Sequence, residues 1–254
     1  GPTIVGPNAI FAEEYDHLPG YVPDADLGLG CGLPTQFAQI KAGDTVLDLG
    51  SGAGNDCFIA RVETGADGRV IGVDFTPEMI AKAKENTKKL GFENVEFRQG
   101  DIEKLPLTSN MVDVVVRNCV LNLVPDKKQA FTEILRVLKP GGHFSISDVV
   151  LNSELPDQLK EAAEMYAGCV SGAMQEKDYL AVIEELGFEE IIVQKRKPIV
   201  IPDDILSNYM KPEEIEAFKA KLADPGRRMG TEPGQRGRCP PRRSIRTRAR
   251  RCSR

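Results

Sequence analysis

The chain has 254 residues, 41% hydrophobic and 28% charged, with a formal net charge of -5, six cysteines, two histidines and no tryptophan. That length admits one or two domains with a sizeable core, and the lack of any run of 18 uncharged apolar residues excludes a transmembrane helix. The opening GPTIVGPNAI carries no basic or apolar signal region, so the chain reads as cytoplasmic, with its cysteines kept as free thiols. Gly1-Pro2 reads as a protease-cleavage scar. The charge is unevenly spread: from Pro225 to Arg254 eleven Arg face one acid, Glu232, giving +10 there and leaving -15 for residues 1–224. The acidic body argues against nucleic acid as a partner. The arginine-rich stretch 225–254 has too little apolar surface to pack and reads as a disordered tail, either a non-native extension or an arm for an anionic surface.

In chain order, residues 1–40 form a cap segment. From Lys41, short β-branched runs alternate with helical patterns: strands at 45–50, 69–74, 94–100, 112–118 and 143–150, with helices at 54–64, 77–90 and 126–138. Nearly continuous apolar strands have both faces covered, as in a parallel sheet. In the third helix Phe131, Ile134, Leu135 and Leu138 share one face, and KPGG (139–142) stops it. The alternation predicts an α/β fold with a doubly wound, mostly parallel sheet over 41–150. Residues 151–224 add a helix at 175–186 and a strand at 188–194. The N-terminal segment and the stretch after the fifth strand are candidate covers for the active site.

The first strand runs directly into Gly50-Ser51-Gly52-Ala53-Gly54 and a helix, where backbone can approach a ligand closely. Asp74 ends the second strand 24 residues beyond Gly50, placed to accept from both hydroxyls of a ribose. The GSGAG spacing differs from the GxGxxG of dinucleotide binders. Asp101 follows the third strand with Ile102 beside it; a helix N-cap is its other reading. The motifs VLDLGSGAG, VIGVDFTPEM, GDIEKLP and LKPGG together resemble the class I S-adenosylmethionine-dependent methyltransferases over residues 41–150. The resemblance implies a Rossmann-like fold in which Gly50, Ser51, Gly52 and Gly54 hold the methionine part, Asp74 the ribose, and Asp101 with Ile102 the adenine. Asp48, Phe75 and Met79 complete the implied cofactor set. Asn118 reads either as a hydrogen-bonding partner of cofactor or thiolate, or as a turn residue.

Oxygen and nitrogen acceptors call for a general base, and neither His17, in the leading segment, nor His143, placed for a solvent-facing or capping role, fits that task. Thiols stand out instead: Cys31 in LGLGCGLPT, Cys119 after the fourth strand, and Cys169 in YAGCVSGAM surround one sheet edge, whereas Cys57 faces the sheet from the first helix. A lone cysteine is more often a small buried hydrophobe. Three in covering or edge segments, with no C-x-x-C pair in the body, fit a soft centre better than zinc. NCVLNLVPDK, YAGCVSGA and LGCG resemble the arsenite methyltransferases, over about Leu27 to Phe188. The resemblance implies that Cys31, Cys119 and Cys169 hold trivalent arsenic as substrate, that S-adenosylmethionine donates the methyl group, and that an external thiol reductant, thioredoxin or glutathione, restores the thiols. The family commonly carries a further upstream cysteine, and none precedes Cys31 here. Two other readings stay open: a carbon methyltransferase of the quinone-biosynthesis type, with packing cysteines, and a non-catalytic metalloid-binding protein.

Overall fold

The computed structural model describes residues 15–28, 30, 32–151, 172–198, 203–223 and 230–238. Strands β1 (Thr45–Leu49), β2 (Arg69–Asp74), β3 (Val95–Gln99), β4 (Val112–Asn118) and β5 (Leu138–Val150) are all parallel. The sheet continues through β8 (Gly230–Arg238) to β6 (Glu189–Val193), in the order β3-β2-β1-β4-β5-β8-β6, with the short β7 (Lys197–Pro198) also on β8. Strand β8 runs antiparallel to its neighbours. The winding reverses between β1 and β4, and a crevice opens where their carboxyl ends part.

Period-two alternation sends residues of one strand into two different cores. Leu47, Leu49, Ile71, Val73 and Val115 pack with α4 (Lys127–Val137) and α5 (Glu176–Glu185) through Phe131, Ile134, Tyr179 and Ile183. Val46, Val70, Val114 and Val116 face α2 (Asn55–Thr64) and α3 (Pro77–Leu90) through Phe58, Ala60, Ile80 and Ala83. This double coverage is what the continuous apolar strands predict. Helix α3 spans the expected range, with proline in its first turn and Gly91 ending it at φ 67°. Helix α4 begins after Asp126, whose carboxylate accepts from Gln129 N at 2.9 Å. The short α1 (Pro34–Phe37) docks the cap: Ser145 Oγ donates to Pro34 O, and His143 Nε2 meets Ala38 O. His143 is therefore a half-buried docking contact, not a solvent-facing one. Helices α6 (Asp203–Leu206) and α7 (Pro212–Ala223) close a small core of Leu206, Met210, Ile215 and Phe218 against Leu151. Among the described residues no helix is long and apolar enough to cross a membrane.

Two expectations need correction. The KPGG stretch is a bulge within β5: Val112 pairs with Leu138 but Val114 with His143, so Lys139–Gly142 loop out opposite Asp113. Lys139 Nζ closes that bulge on Asp113 Oδ2 at 2.7 Å. More consequentially, the stretch expected to be a disordered tail supplies β8, so the boundary drawn at residue 224 does not separate it from the fold. The physical reason is backbone pairing, since β5 and β6 both need an antiparallel neighbour whatever its side chains. Pro233 sits where the register shifts between Ile146 and Ser147, which leaves Gly234 as the extra residue of a bulge. Residues 239–254 lie outside the described residues.

Deleting everything after Asp224 should therefore leave β5 and β6 with unpaired edges. A loss of several kcal/mol would lower the melting temperature by on the order of 10 °C. An unchanged calorimetric melting temperature would return this stretch to the status of a tail.

Candidate functional site

Each wall of the crevice grows out of a strand end. After β1 the chain turns through Gly50, Ser51 and Gly52, whose path is fixed by bonds from Gly50 N and Ser51 N to Val73 O at 2.8 and 3.1 Å. Gly50 has φ 72°, and a β-carbon there would come within 2.5 Å of Val120. Only glycine allows the β1 and β4 loops to touch so closely. Asp74, buried at the end of β2, accepts from Gly52 N at 3.0 Å and from Thr76 N at 2.9 Å. One carboxylate thus holds the glycine loop and the entry to α3, and each oxygen keeps a lone pair for a ligand.

The cleft so formed has a volume of about 690 Å³, within the usual range for small-molecule sites. Of the residues singled out from sequence, Gly50, Ser51, Gly52, Asp74, Phe75, Met79, Asp101, Ile102, Asn118 and Cys119 line it. Phe75 stands 72% exposed at its mouth. Asp101 caps a turn, not a helix, by accepting from Glu103 N at 2.8 Å. Two expected members are elsewhere. Gly54 starts α2 packed against Phe58 and Phe97, and Asp48 is 2% exposed beneath the loop, accepting from Cys57 Sγ at 3.3 Å. Asp48 shares the inward parity of Val46, which takes it under α2 and away from any ligand. Cys31 and Cys169 lie outside the described residues.

Cys119 follows β4 in the left-handed region, at φ 57°, and its N donates to Ser147 O at 2.8 Å. Its sulfur is disulfide-bonded, to a partner outside the described residues, so the expectation of free thiols fails here. It holds at Cys57, which is fully buried among apolar side chains, and burial with Asp48 beside it raises the Cys57 pKa far from the thiolate range. The flanks of the other two thiols lead back to Cys119. Gly32 offers its carbonyl to Asn118 Nδ2 at 2.7 Å, and Gly172 sits so tightly on Asn122 O that a side chain there would collide with it.

Several residues of the site carried no signal in the sequence. Tyr15, Asp26, Asp56 and Glu103 all line the cleft. Tyr15 Oη donates to Gly32 O at 2.9 Å and lies 3.2 Å from Asp56 Oδ2, joining positions 41 residues apart. The one available hint was Asp56 itself, two residues beyond the last loop glycine. Together the lining carries five carboxylates, Asp26, Asp56, Asp74, Asp101 and Glu103, and among the described residues no Lys, Arg or His. Such a cleft attracts a cation and repels the phosphates of a dinucleotide. Burial raises Asp56 to about 6, against the opposing hydrogen bonds from Asn118 and Tyr15, and Asp48 is raised by burial and by Asp56. Among the described residues no cluster of three His, Cys, Asp or Glu is arranged to hold a metal ion.

Because the raised Asp56 binds its proton more tightly when folded, its stabilising contribution is complete below about pH 4 and is lost as pH rises through about 6. Asp56→Asn should gain on the wild type between pH 3 and 7, by up to about 3 kcal/mol from the two-unit shift. Denaturant unfolding at both pH values measures this; a pH-independent difference contradicts it.

The family model described as a methyltransferase domain matches residues 40–187. The arsenite methyltransferase of Halobacterium salinarum is 52% identical over 215 residues, covering 82% of this chain and 55% of the relative. That of Aquipseudomonas alcaligenes is 39% identical over 188 residues, covering 71% and 54%. The chain thus spans about half the length of the curated relatives it matches. Among solved structures, an arsenic(III) S-adenosylmethionine methyltransferase from Chlamydomonas reinhardtii superposes with a TM-score of 0.66 at 31% identity, covering 83% of this chain and 67% of that one.

Proposed function

Because the chain belongs to the methyltransferase domain family, we propose that it transfers the methyl group of S-adenosylmethionine to trivalent arsenic held by cysteine thiolates. The cleft suits that cofactor. Its carboxylates favour a ligand carrying a sulfonium and an ammonium against one carboxylate, and Ser51 Oγ lies buried in the loop with no hydrogen-bond partner among the described residues. Asp74 would hold the ribose hydroxyls, Ile102 and Phe75 the adenine, and the Gly50–Gly52 turn the methionine part. When bound, S-adenosylmethionine supplies an electrophilic methyl that passes to the arsenic lone pair as the carbon–sulfur bond breaks and its electrons stay on sulfur.

The chain's own part is to bind, orient and exclude water. Cys31, Cys119 and Cys169 would bind the substrate as thiolates, leaving its lone pair unshared; since no proton sits on that pair, no general base is needed. Methylation formally takes arsenic from +3 to +5. Two thiolates then return two electrons and join as a disulfide, which an external dithiol such as thioredoxin, or glutathione, reopens. That chemistry suits a cytoplasmic setting.

The observation that supports this reading is that Cys119, directly after β4, lines the same cleft as the Gly50–Gly52 turn and Asp74. A quinone-type carbon methyltransferase would give a cysteine at that position no role beyond packing. A sequestering protein would have no use for the glycine loop.

In reduced protein, Cys119→Ser and Cys169→Ser should bring arsenite methylation to background while S-adenosylmethionine affinity, measured by calorimetry, stays unchanged. Cys31→Ser should lose arsenite and keep part of its activity on methylarsenite, which needs two thiolates. Cys57→Ser should remain active and lose at most some stability from its buried hydroxyl. Full arsenite turnover by Cys119→Ser would overturn the proposal. The cofactor half has its own test: Asp74→Ala should weaken S-adenosylmethionine by a few kcal/mol, having lost two acceptors, and unchanged affinity would remove Asp74 from the site.

A further inference from the structure

The loop around residue 31 is gripped from both sides by the same two side chains. On the near side, a β-carbon on Gly30 would come within 2.7 Å of Asn118 Nδ2 and 3.2 Å of Tyr15 Oη. On the far side, Gly32 O accepts from Asn118 Nδ2 at 2.7 Å and from Tyr15 Oη at 2.9 Å. The two gripping groups also bond to each other, Asn118 Nδ2 donating to Tyr15 Oη, and Asp56 Oδ2 lies within reach of both as an alternative acceptor. Asn118 immediately precedes Cys119.

We propose that Tyr15, with Asn118, is a positioning residue that sets the Gly30–Gly32 loop against the end of β4, so that the thiol between those glycines completes a three-thiolate substrate site. The inference rests on the arsenic reading above and extends it to a residue outside the thiol and cofactor sets. Tyr15 is suited to the task because it is buried in a small apolar cluster with Leu33 and Ile59. Burial and the Asp56 carboxylate hold its phenol well above the ordinary pKa, so it remains a donor throughout the neutral range. Asn118 cannot do the work alone. Its amide has two hydrogens, and Gly32 O, Tyr15 Oη and Asp56 Oδ2 all lie within reach.

A merely structural Tyr15 and a positioning one differ in how they treat substrates that need three thiolates or two. Tyr15→Phe removes only the hydroxyl, and Gly30→Ala keeps the hydroxyl but sets a β-carbon against Asn118 Nδ2 and Tyr15 Oη. Both should raise KM for arsenite about tenfold or more, as small misplacements of binding groups do, and raise KM for methylarsenite much less. X-ray absorption of arsenite on the reduced proteins should count three sulfur neighbours in the wild type and two in Tyr15→Phe. Equal losses on both substrates, or three sulfurs with unchanged KM in Tyr15→Phe and Gly30→Ala, would overturn the clamp. A wild type that binds no arsenite through sulfur would overturn the functional reading itself, and the clamp with it.

Discussion

Val120 lies so close over Gly50 that no side chain fits between them. That contact fastens the turn after β1 to the turn after β4, the two strand ends that the sheet's reversal of winding leaves side by side. Everything the cleft does follows from this closeness. The glycine loop and Cys119 open into one volume, and Asp74 stiffens the far side by holding Gly52 and Thr76 with its two oxygens. The glycine turn and Cys119 are thus neighbours through backbone geometry alone, which is the arrangement the proposed methyl transfer would require.

Electrostatics sorts the groups that this geometry gathers. Five carboxylates line the cleft, while Asp48 and Cys57 lie beneath it in a core that keeps the Cys57 thiol protonated. Both cysteines are buried, and what separates them is placement: Cys57 lies beside Asp48 in the core under α2, whereas Cys119 lines the cleft. On the opposite face of the sheet, Arg117 and Asp148 form a buried ion pair at 3.3 Å, with Tyr179 Oη donating to the same carboxylate oxygen at 2.9 Å. Such a pair contributes little net stability and specifies geometry more than it stabilises; here it ties β4 to β5 and α5 just below Cys119.

The five parallel strands were legible because both their faces are apolar, and α3 because proline and glycine mark its ends. Strand β8 was not, since GTEPGQRGR has no apolar alternation and a single β-branched residue, Thr231, and owes its place to the hydrogen-bonding edges of β5 and β6. In the site, the glycine turn, Asp74, Ile102 and Cys119 could be read because short-range motifs encode them. Tyr15 and Asp56 could not, as their roles come from contacts with Asn118 across 103 and 62 residues. Asp48 misled for the converse reason: its motif suggests a ligand contact, and strand parity buries it.

The most direct test follows the methyl group. Reduced protein would be incubated with arsenite and S-adenosylmethionine bearing a trideuterated methyl, with arsenic species and S-adenosylhomocysteine quantified by mass spectrometry. The account predicts trideuteromethyl arsenic formed mole for mole with S-adenosylhomocysteine. Arsenic that is bound yet unlabelled, or S-adenosylhomocysteine formed without labelled arsenic, would contradict it.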